Sequence, residues 1–184
     1  MKINIVGASG SGVTTLGEQL SRELNIPYFD SDYYYWEPSN PPFTIRRDPA
    51  KRNAMLQQDI VPYKDALLGG SFISWGDEWL TTFDLVVFLW IPSTIRIERL
   101  KQRELERYGE IIYTNEERNR LFNEFIDWAS GYDSGIARGR TLQAHEEWLK
   151  KLNCPVVEIR GNKSVESRVK IVMQAIHSHF RFLQ

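Results

Sequence analysis

The sequence predicts a three-layer α/β domain built on a five-stranded parallel sheet. Short apolar runs alternate with stretches of helical periodicity along the chain, the pattern of strands and helices taken in turn. One run, Leu85 to Trp90, is apolar at every position, as a central strand covered on both faces should be. The chain also opens with a strand-like segment that runs into a glycine-rich loop and then a helix.

The elements follow in order. Residues 2–6 read as a buried first strand. Residues 13–24 read as a helix, with Leu16, Leu20 and Leu24 on one face and Asn25 as its stop signal. Ile26 to Phe29 reads as the second strand, and residues 31–47, rich in aromatics and prolines, as loop. Asp48-Pro49 opens a helix, with Asp as N-cap and Pro at the first helical position. That helix runs toward Gly69-Gly70, with Pro62 bending or breaking it. Residues 71–75 read as the third strand and Leu85 to Trp90 as the fourth. Pro92-Ser93 then opens a helix to about Tyr108. Residues 116–129 and 141–152 read as two more helices around a loop from Ser130 to Gly135. Val156 to Ile159 is the fifth strand. Gly161-Asn162 turns the chain into a last helix, with Val165, Val169, Val172 and Ile176 on one face.

A chain of 184 residues suits one domain, with or without an inserted lid. Lys plus Arg is 23 and Asp plus Glu is 24, a net charge of −1 that argues against a nucleic-acid coat or a polybasic membrane binder. The single cysteine, Cys154, excludes an intramolecular disulfide framework and a Cys-rich zinc site. His145, His177 and His179 lack metal-ligand spacing and read as structural. No apolar stretch reaches the roughly 18 residues of a membrane helix, and the N-terminal run is too short for a signal peptide. A cytoplasmic protein, monomer or homodimer, is expected.

The motif that carries chemistry is Gly7-Ala8-Ser9-Gly10-Ser11-Gly12-Val13-Thr14-Thr15. It lies between a strand and a helix, the context a phosphate-binding P-loop requires. Glycines let successive N–H groups curl around an anion, and the positive end of the helix adds to that field. Thr14 stands at the hydroxyl position that would hold Mg²⁺, and Gly7, Ser9, Gly10, Ser11, Gly12, Val13, Thr14 and Thr15 are the candidate nucleotide contacts. Val13 stands where the P-loop lysine belongs. A charge-assisted hydrogen bond is worth about 1.5–3 kcal/mol. The loss therefore weakens phosphate binding unless another cation serves.

Arg96, Arg99, Arg103 and Arg107 share one helix face, within an arc of roughly 80°. Either they form a solvated salt-bridged face or Arg99 and Arg103 point at a nucleotide. With the P-loop, Asp30-Ser31-Asp32, Leu85 to Trp90, Arg99 to Arg103 and Gly161-Asn162-Lys163, the chain resembles the P-loop kinase branch that includes adenylate kinase and shikimate kinase. It is most similar to small adenylate kinase-related proteins, including those called DNA topology modulation protein. The resemblance implies the strand order 2-3-1-4-5 and a lid over about 104–140. It also implies an acceptor-binding segment over about 31–68, within a single domain 1–184. Arg99 and Arg103 would begin the lid, Arg138 and Arg140 would be its second arginines, and Gly161 and Asn162 would form the adenine-contacting turn. Asp30 and Asp32 match an Asp-x-Asp that such kinases use for Mg²⁺ and the acceptor hydroxyl. Asp32 is thus a candidate base, and Asp77 a second acceptor or metal candidate, with turn capping the alternative for all three. Tyr34, in the aromatic run Tyr33 to Trp36, and Arg46, Arg47 and Arg52 would suit an anionic acceptor. Core packing and plain surface charge are the competing readings.

The expected activity is phosphoryl transfer from Mg-ATP to a nucleoside monophosphate or a small hydroxylated metabolite, with ATP and Mg²⁺ as cofactors. Arg99, Arg103, Arg138 and Arg140 would neutralise the charge in transfer. The alternative is a regulatory protein that binds nucleotide and catalyses nothing, because of Val13. Direct action on DNA has little support from the charge balance.

Overall fold

A computed structural model describes residues 1–137 and 139–180 of the chain. Five parallel strands lie in the order β2-β3-β1-β4-β5. They are β1 (Lys2–Gly7), β2 (Tyr28–Asp30), β3 (Ala66–Gly69), β4 (Leu85–Trp90) and β5 (Val156–Arg160). β1 is central, with Ile5 opposite Gly69 of β3 and Val87 of β4.

Side chains alternate across each strand, so each strand feeds two cores. Val6, Leu68, Val86 and Phe88 point to one face, where they meet Leu56, Phe72, Trp75, Trp79 and Trp148. Ile3, Ile5, Leu67, Leu85 and Val87 point to the other, where they meet Leu16, Leu20 and Val172. Both faces are covered, which is why β4 is apolar throughout. The exception in β1 is Asn4, fully buried. Its amide donates to the carbonyls of Leu68 (2.9 Å) and Gly70 (3.1 Å), fixing where β3 leaves the sheet.

The helices begin and end on the expected signals. α1 (Val13–Leu24) stops at Asn25, whose φ of 53° is left-handed and whose N–H bonds Ser21 O. After α2 (Ser31–Tyr35), α3 (Pro49–Ile60) starts where Asp48 accepts from the Lys51 N–H at 3.0 Å. α4 (Ser93–Tyr108), α5 (Ile111–Thr114) and α6 (Glu116–Ser130) close on a third apolar cluster of Leu100, Ile112, Phe122 and Ile126. α7 (Leu142–Leu149) and α8 (Val165–Phe180) flank β5 in the chain.

Two expectations are corrected. The third strand is Ala66–Gly69, not residues 71–75. Ser71 to Trp75 look strand-like because Phe72, Ile73 and Trp75 are β-formers. Pairing with β1 ends at Gly69, however, and Phe72 and Trp75 turn into a ring cluster with Trp79 and Phe83. Residues 31–35 are helical rather than loop, because Asp30 caps them by accepting from the Asp32 N–H.

Candidate active site

In a parallel sheet the ligand crevice lies beyond the carboxyl ends of the strands. Here β1 ends in the glycine loop, β2 in Asp30, β3 in the turn to Ser71 and β5 in Gly161-Asn162. The loop folds back through a hydrogen bond from the Ser11 N–H to Ala8 O, and the first helical bond runs from the Leu16 N–H to Gly12 O. Between them, the N–H groups of Val13, Thr14 and Thr15 have no acceptor among the described residues. They sit at the positive end of α1 and line a cavity of about 830 Å³. Gly10 (φ 80°) and Gly12 (φ 89°) make the curl possible. A Cβ on Gly10 would also meet Arg96 O at 2.7 Å.

Thr14 and Asp30 share a wall of this cavity, the Thr14 hydroxyl donating to Asp30 Oδ2 at 3.2 Å. Two hard oxygens at the mouth of a phosphate loop fit Mg²⁺, which takes one or two protein ligands and completes its shell with water and phosphate. Among the described residues no cluster of three His, Cys, Asp or Glu could hold a metal by itself. Arg99 reaches across the cavity, its Nη2 donating to Asn162 Oδ1 at 2.8 Å.

A second cavity of about 620 Å³ adjoins the first, and Ser9, Asp32, Arg103, Arg107 and Arg140 line both. Its walls pair guanidinium groups with rings. Arg52 lies 4.3 Å from the Trp75 centroid, Arg118 3.8 Å from that of Tyr108, Arg107 5.3 Å from Phe43, and Arg103 5.7 Å from Phe125. Arg140 lies 5.9 Å from the Trp128 centroid. Six arginines (46, 52, 103, 107, 118 and 140) face two carboxylates, Asp32 and Glu104, so the cavity is strongly positive. Asp32 stands where the cavities meet. Loss of bulk solvent there raises its carboxyl above the ordinary range, and Asp30 adds to this, against the pull of Arg140, Arg103 and Arg107.

Ser71, at the end of β3, brings a buried relay to this second cavity. Burial pushes the Tyr132 phenol far up, so it keeps its proton, and its oxygen lies 2.6 Å from His145 Nδ1. On its other side the neutral ring shares a hydrogen bond with Ser71, Nε2 lying 3.1 Å from Ser71 Oγ, so the chain of three groups ends at the cavity wall. Burial, with a smaller push from Arg140, lowers His145 to about 3. The unfolded chain therefore binds a proton at His145 that the native state refuses between about pH 3 and 6.5, and stability falls as pH drops through that window. About 2 kcal/mol is expected to be lost between pH 7 and pH 5 from this group. Denaturant titrations of wild type and His145→Gln at both pH values check it, the variant losing that much less.

The remaining predicted residues fall into two groups. Gly7, Ser9, Gly10, Gly12, Val13, Thr14, Thr15, Asp30, Asp32, Arg99, Arg103, Arg140 and Asn162 line the first cavity, and Arg46 the second. Gly161 holds the turn beside Asn162 by donating its N–H to Trp90 O. Others are not brought to the site. Ser11 is fully buried under the loop, with its hydroxyl unpartnered and its N–H spent on Ala8. Tyr34 is buried against α3, donating to Asp59 Oδ2 at 2.8 Å. Arg47 is buried too, tied to the Tyr33 and Tyr34 carbonyls and to Glu37. Asp77 is exposed at the head of the 3₁₀ turn Asp77–Leu80, outside both cavity walls. Arg138 lies outside the described residues. Arg96 leaves the arginine stripe altogether: it is fully buried and bonded to Ile91 O and Asp133. Sequence reasoning missed Arg107, Arg118 and Arg168, as well as Trp75, Phe125 and Trp128, as site residues.

The fold and the loop define a P-loop kinase fold. Shikimate kinase of Bacteroides thetaiotaomicron superposes with a TM-score of 0.56 over 96% of this chain and 98% of that one, at 18% identity. Deoxyadenosine kinase of M. mycoides gives 0.57 over 96% and 100%, at 15% identity. In sequence, 117 residues are 27% identical to a shikimate kinase of Bacteroides fragilis, over 58% of this chain and 65% of that protein. No family model matches the chain. It is 40% identical over 177 residues to the uncharacterized protein YqaC of Bacillus subtilis, covering 96% of this chain and 98% of that protein. The chain belongs to the family of YqaC.

Proposed function

We propose that the protein transfers the terminal phosphoryl group of Mg-ATP to a small anionic acceptor seated in the second cavity. The observation that carries the reading is the shared wall: Asp32, Arg103, Arg107 and Arg140 face both cavities at once. A donor phosphate in one and an acceptor oxygen in the other would meet at a point ringed by guanidinium groups and one carboxylate.

The roles follow from charge and position. The free N–H groups at the start of α1 take the phosphates of the donor. Thr14 and Asp30 would hold Mg²⁺, which neutralises phosphate charge when bound. Asp32, with its raised carboxyl, takes the proton of an attacking hydroxyl, or of a phosphate that binds as its monoanion. Arg103, Arg107 and Arg140 stabilise the equatorial charge in transfer. The turn at Asn162, bonded by Arg99, would face the adenine.

The acceptor class follows from the second cavity. Arginines on rings suit a flat ligand carrying a phosphate group, so a nucleoside monophosphate fits better than a neutral hydroxylated metabolite. Incubation with Mg-ATP and a panel of both acceptor types, followed by ADP release, tests the reading. ADP formed with a nucleoside monophosphate supports it. Val13 favours a second reading, a protein that binds nucleotide without turning it over, and calorimetric ATP binding with no ADP release from any acceptor would establish that instead.

A further inference from the structure

Val13 removes the positive charge that a glycine loop of this kind carries at its own helix start. Its side chain packs instead against the core cluster of Leu16, Leu20 and Val172. A guanidinium comes to the same place from the other end of the chain. Arg168, near the start of α8, lines the first cavity and is only 3% exposed. Its Nη1 donates to Ser11 O at 2.8 Å, on the loop itself. A Cβ on Gly12 would stand 2.9 Å from that same nitrogen, so Gly12 also makes room for this approach.

The group is unfinished as it stands. Among the described residues no carboxylate pairs with Arg168. Its Nε is buried with no partner. Arg96, the other arginine that props this loop, is by contrast neutralised by Asp133 at 2.6 Å. Burial, with repulsion from Arg99, already disfavours the charge on Arg168. A buried cation without a counter-charge is costly, and an anion in the cavity between Arg168 and Arg99 would satisfy both.

On the reading of the loop as a phosphate site, we propose that Arg168 is the cation that replaces the missing P-loop lysine, binding the phosphates of the donor nucleotide from beneath Gly12. The charge has moved from the loop to α8, while the site keeps its net complement. Arginine suits this position because it can hold the Ser11 carbonyl with one nitrogen and offer the others to phosphate.

The test moves the charge back. Affinity for ADP and for adenosine is measured calorimetrically on wild type, Arg168→Gln, Val13→Lys and the double variant, each checked for folding by thermal melting. Arg168→Gln is expected to weaken ADP roughly tenfold or more, the scale of a lost charge-assisted hydrogen bond, and to leave adenosine within about twofold. Val13→Lys is expected to restore ADP binding in the Gln background and to add little to wild type. An Arg168→Gln variant that folds and binds ADP as wild type does overturns the proposal, as does loss of binding that Val13→Lys fails to restore. Wild type that binds no ADP at all defeats the phosphate-site reading itself. Should the Gln variant not fold, the wild-type chain decides through its arginine Nε–H NMR signals, assigned with Arg168→Lys. The Arg168 signal shifting with ADP and not with adenosine supports the proposal, and a signal unmoved in the ADP-bound protein contradicts it.

Discussion

Asp32→Asn is expected to lower turnover by about 10²–10⁴-fold, the usual worth of a positioned general base, and to leave ATP affinity within a few-fold. The expectation comes from position and charge together. Asp32 stands at the junction of the two cavities, so its oxygens face the atoms that would react. Asp32 opens to the cavity, and the protein crowded around it, with Asp30 alongside, raises its carboxyl, which brings it closer to the pH at which a base must work. Asparagine keeps the size of the group and removes its basicity. The pH profile carries the sign. A raised carboxyl is protonated and idle at low pH, so kcat/KM, which reports the free enzyme, should climb as pH rises through its ionisation, in a range above that of an ordinary Asp. The Asn variant should be flat there. Steady-state kinetics on both proteins from acid to neutral pH make the comparison, with a hydroxyl acceptor, which has no ionisation of its own in this range, run beside a nucleoside monophosphate.

Arg96→Ala is expected to destabilise the fold by about 3–5 kcal/mol, because it removes a large, fully buried side chain and leaves the carbonyls it bonds without that donor. Arg96 is fully buried, and each of its nitrogens has work. Nε donates to Ile91 O at 3.1 Å, Nη1 lies 3.4 Å from both Ser9 O and Ala129 O, and Nη2 donates to Asp133 at 2.6 Å. Its guanidinium lies 5.0 Å from the centre of the Tyr132 ring. One residue thus ties the end of β4, the end of α6, the following turn and the phosphate loop. Alanine takes that donor from those carbonyls and opens a cavity between the phosphate-loop backbone at Ser9 and the Tyr132 ring. Urea unfolding followed by fluorescence gives the difference. A loss below about 1 kcal/mol would mean the surroundings collapse around the deletion.

These two residues show what the sequence could and could not disclose. The loop, α1, α4 and the α3 cap were readable because their signals are local: glycine spacing, four-residue leucine spacing and an Asp-Pro start. The third strand has no local signal, because Ala66–Gly69 carries no β-branched residue and pairing with β1 and β2 makes it a strand. Arg96, Arg99, Arg103 and Arg107 form one stripe in sequence, yet burial separates the first from the rest. Tyr34 and Arg47 looked like ligand residues because aromatics and arginines cluster there, but Asp59, Glu37 and backbone carbonyls satisfy them. Arg168 sits in the register of an ordinary amphipathic helix. Its contact with Ser11, across most of the chain, has no trace in spacing. The second cavity likewise draws on α2, α4 and α6, so its ring-and-arginine lining appears only after folding.

The central claim is that two distinct ligand sites meet at Asp32. It is tested most directly by titrating a nucleoside monophosphate into protein already saturated with a non-hydrolysable ATP analogue and Mg²⁺. The expected result is a second saturable binding event of one equivalent, strongly weakened by salt and by Arg52→Ala, with the analogue still bound. Displacement of the analogue by the monophosphate, or no second event at all, would contradict the account.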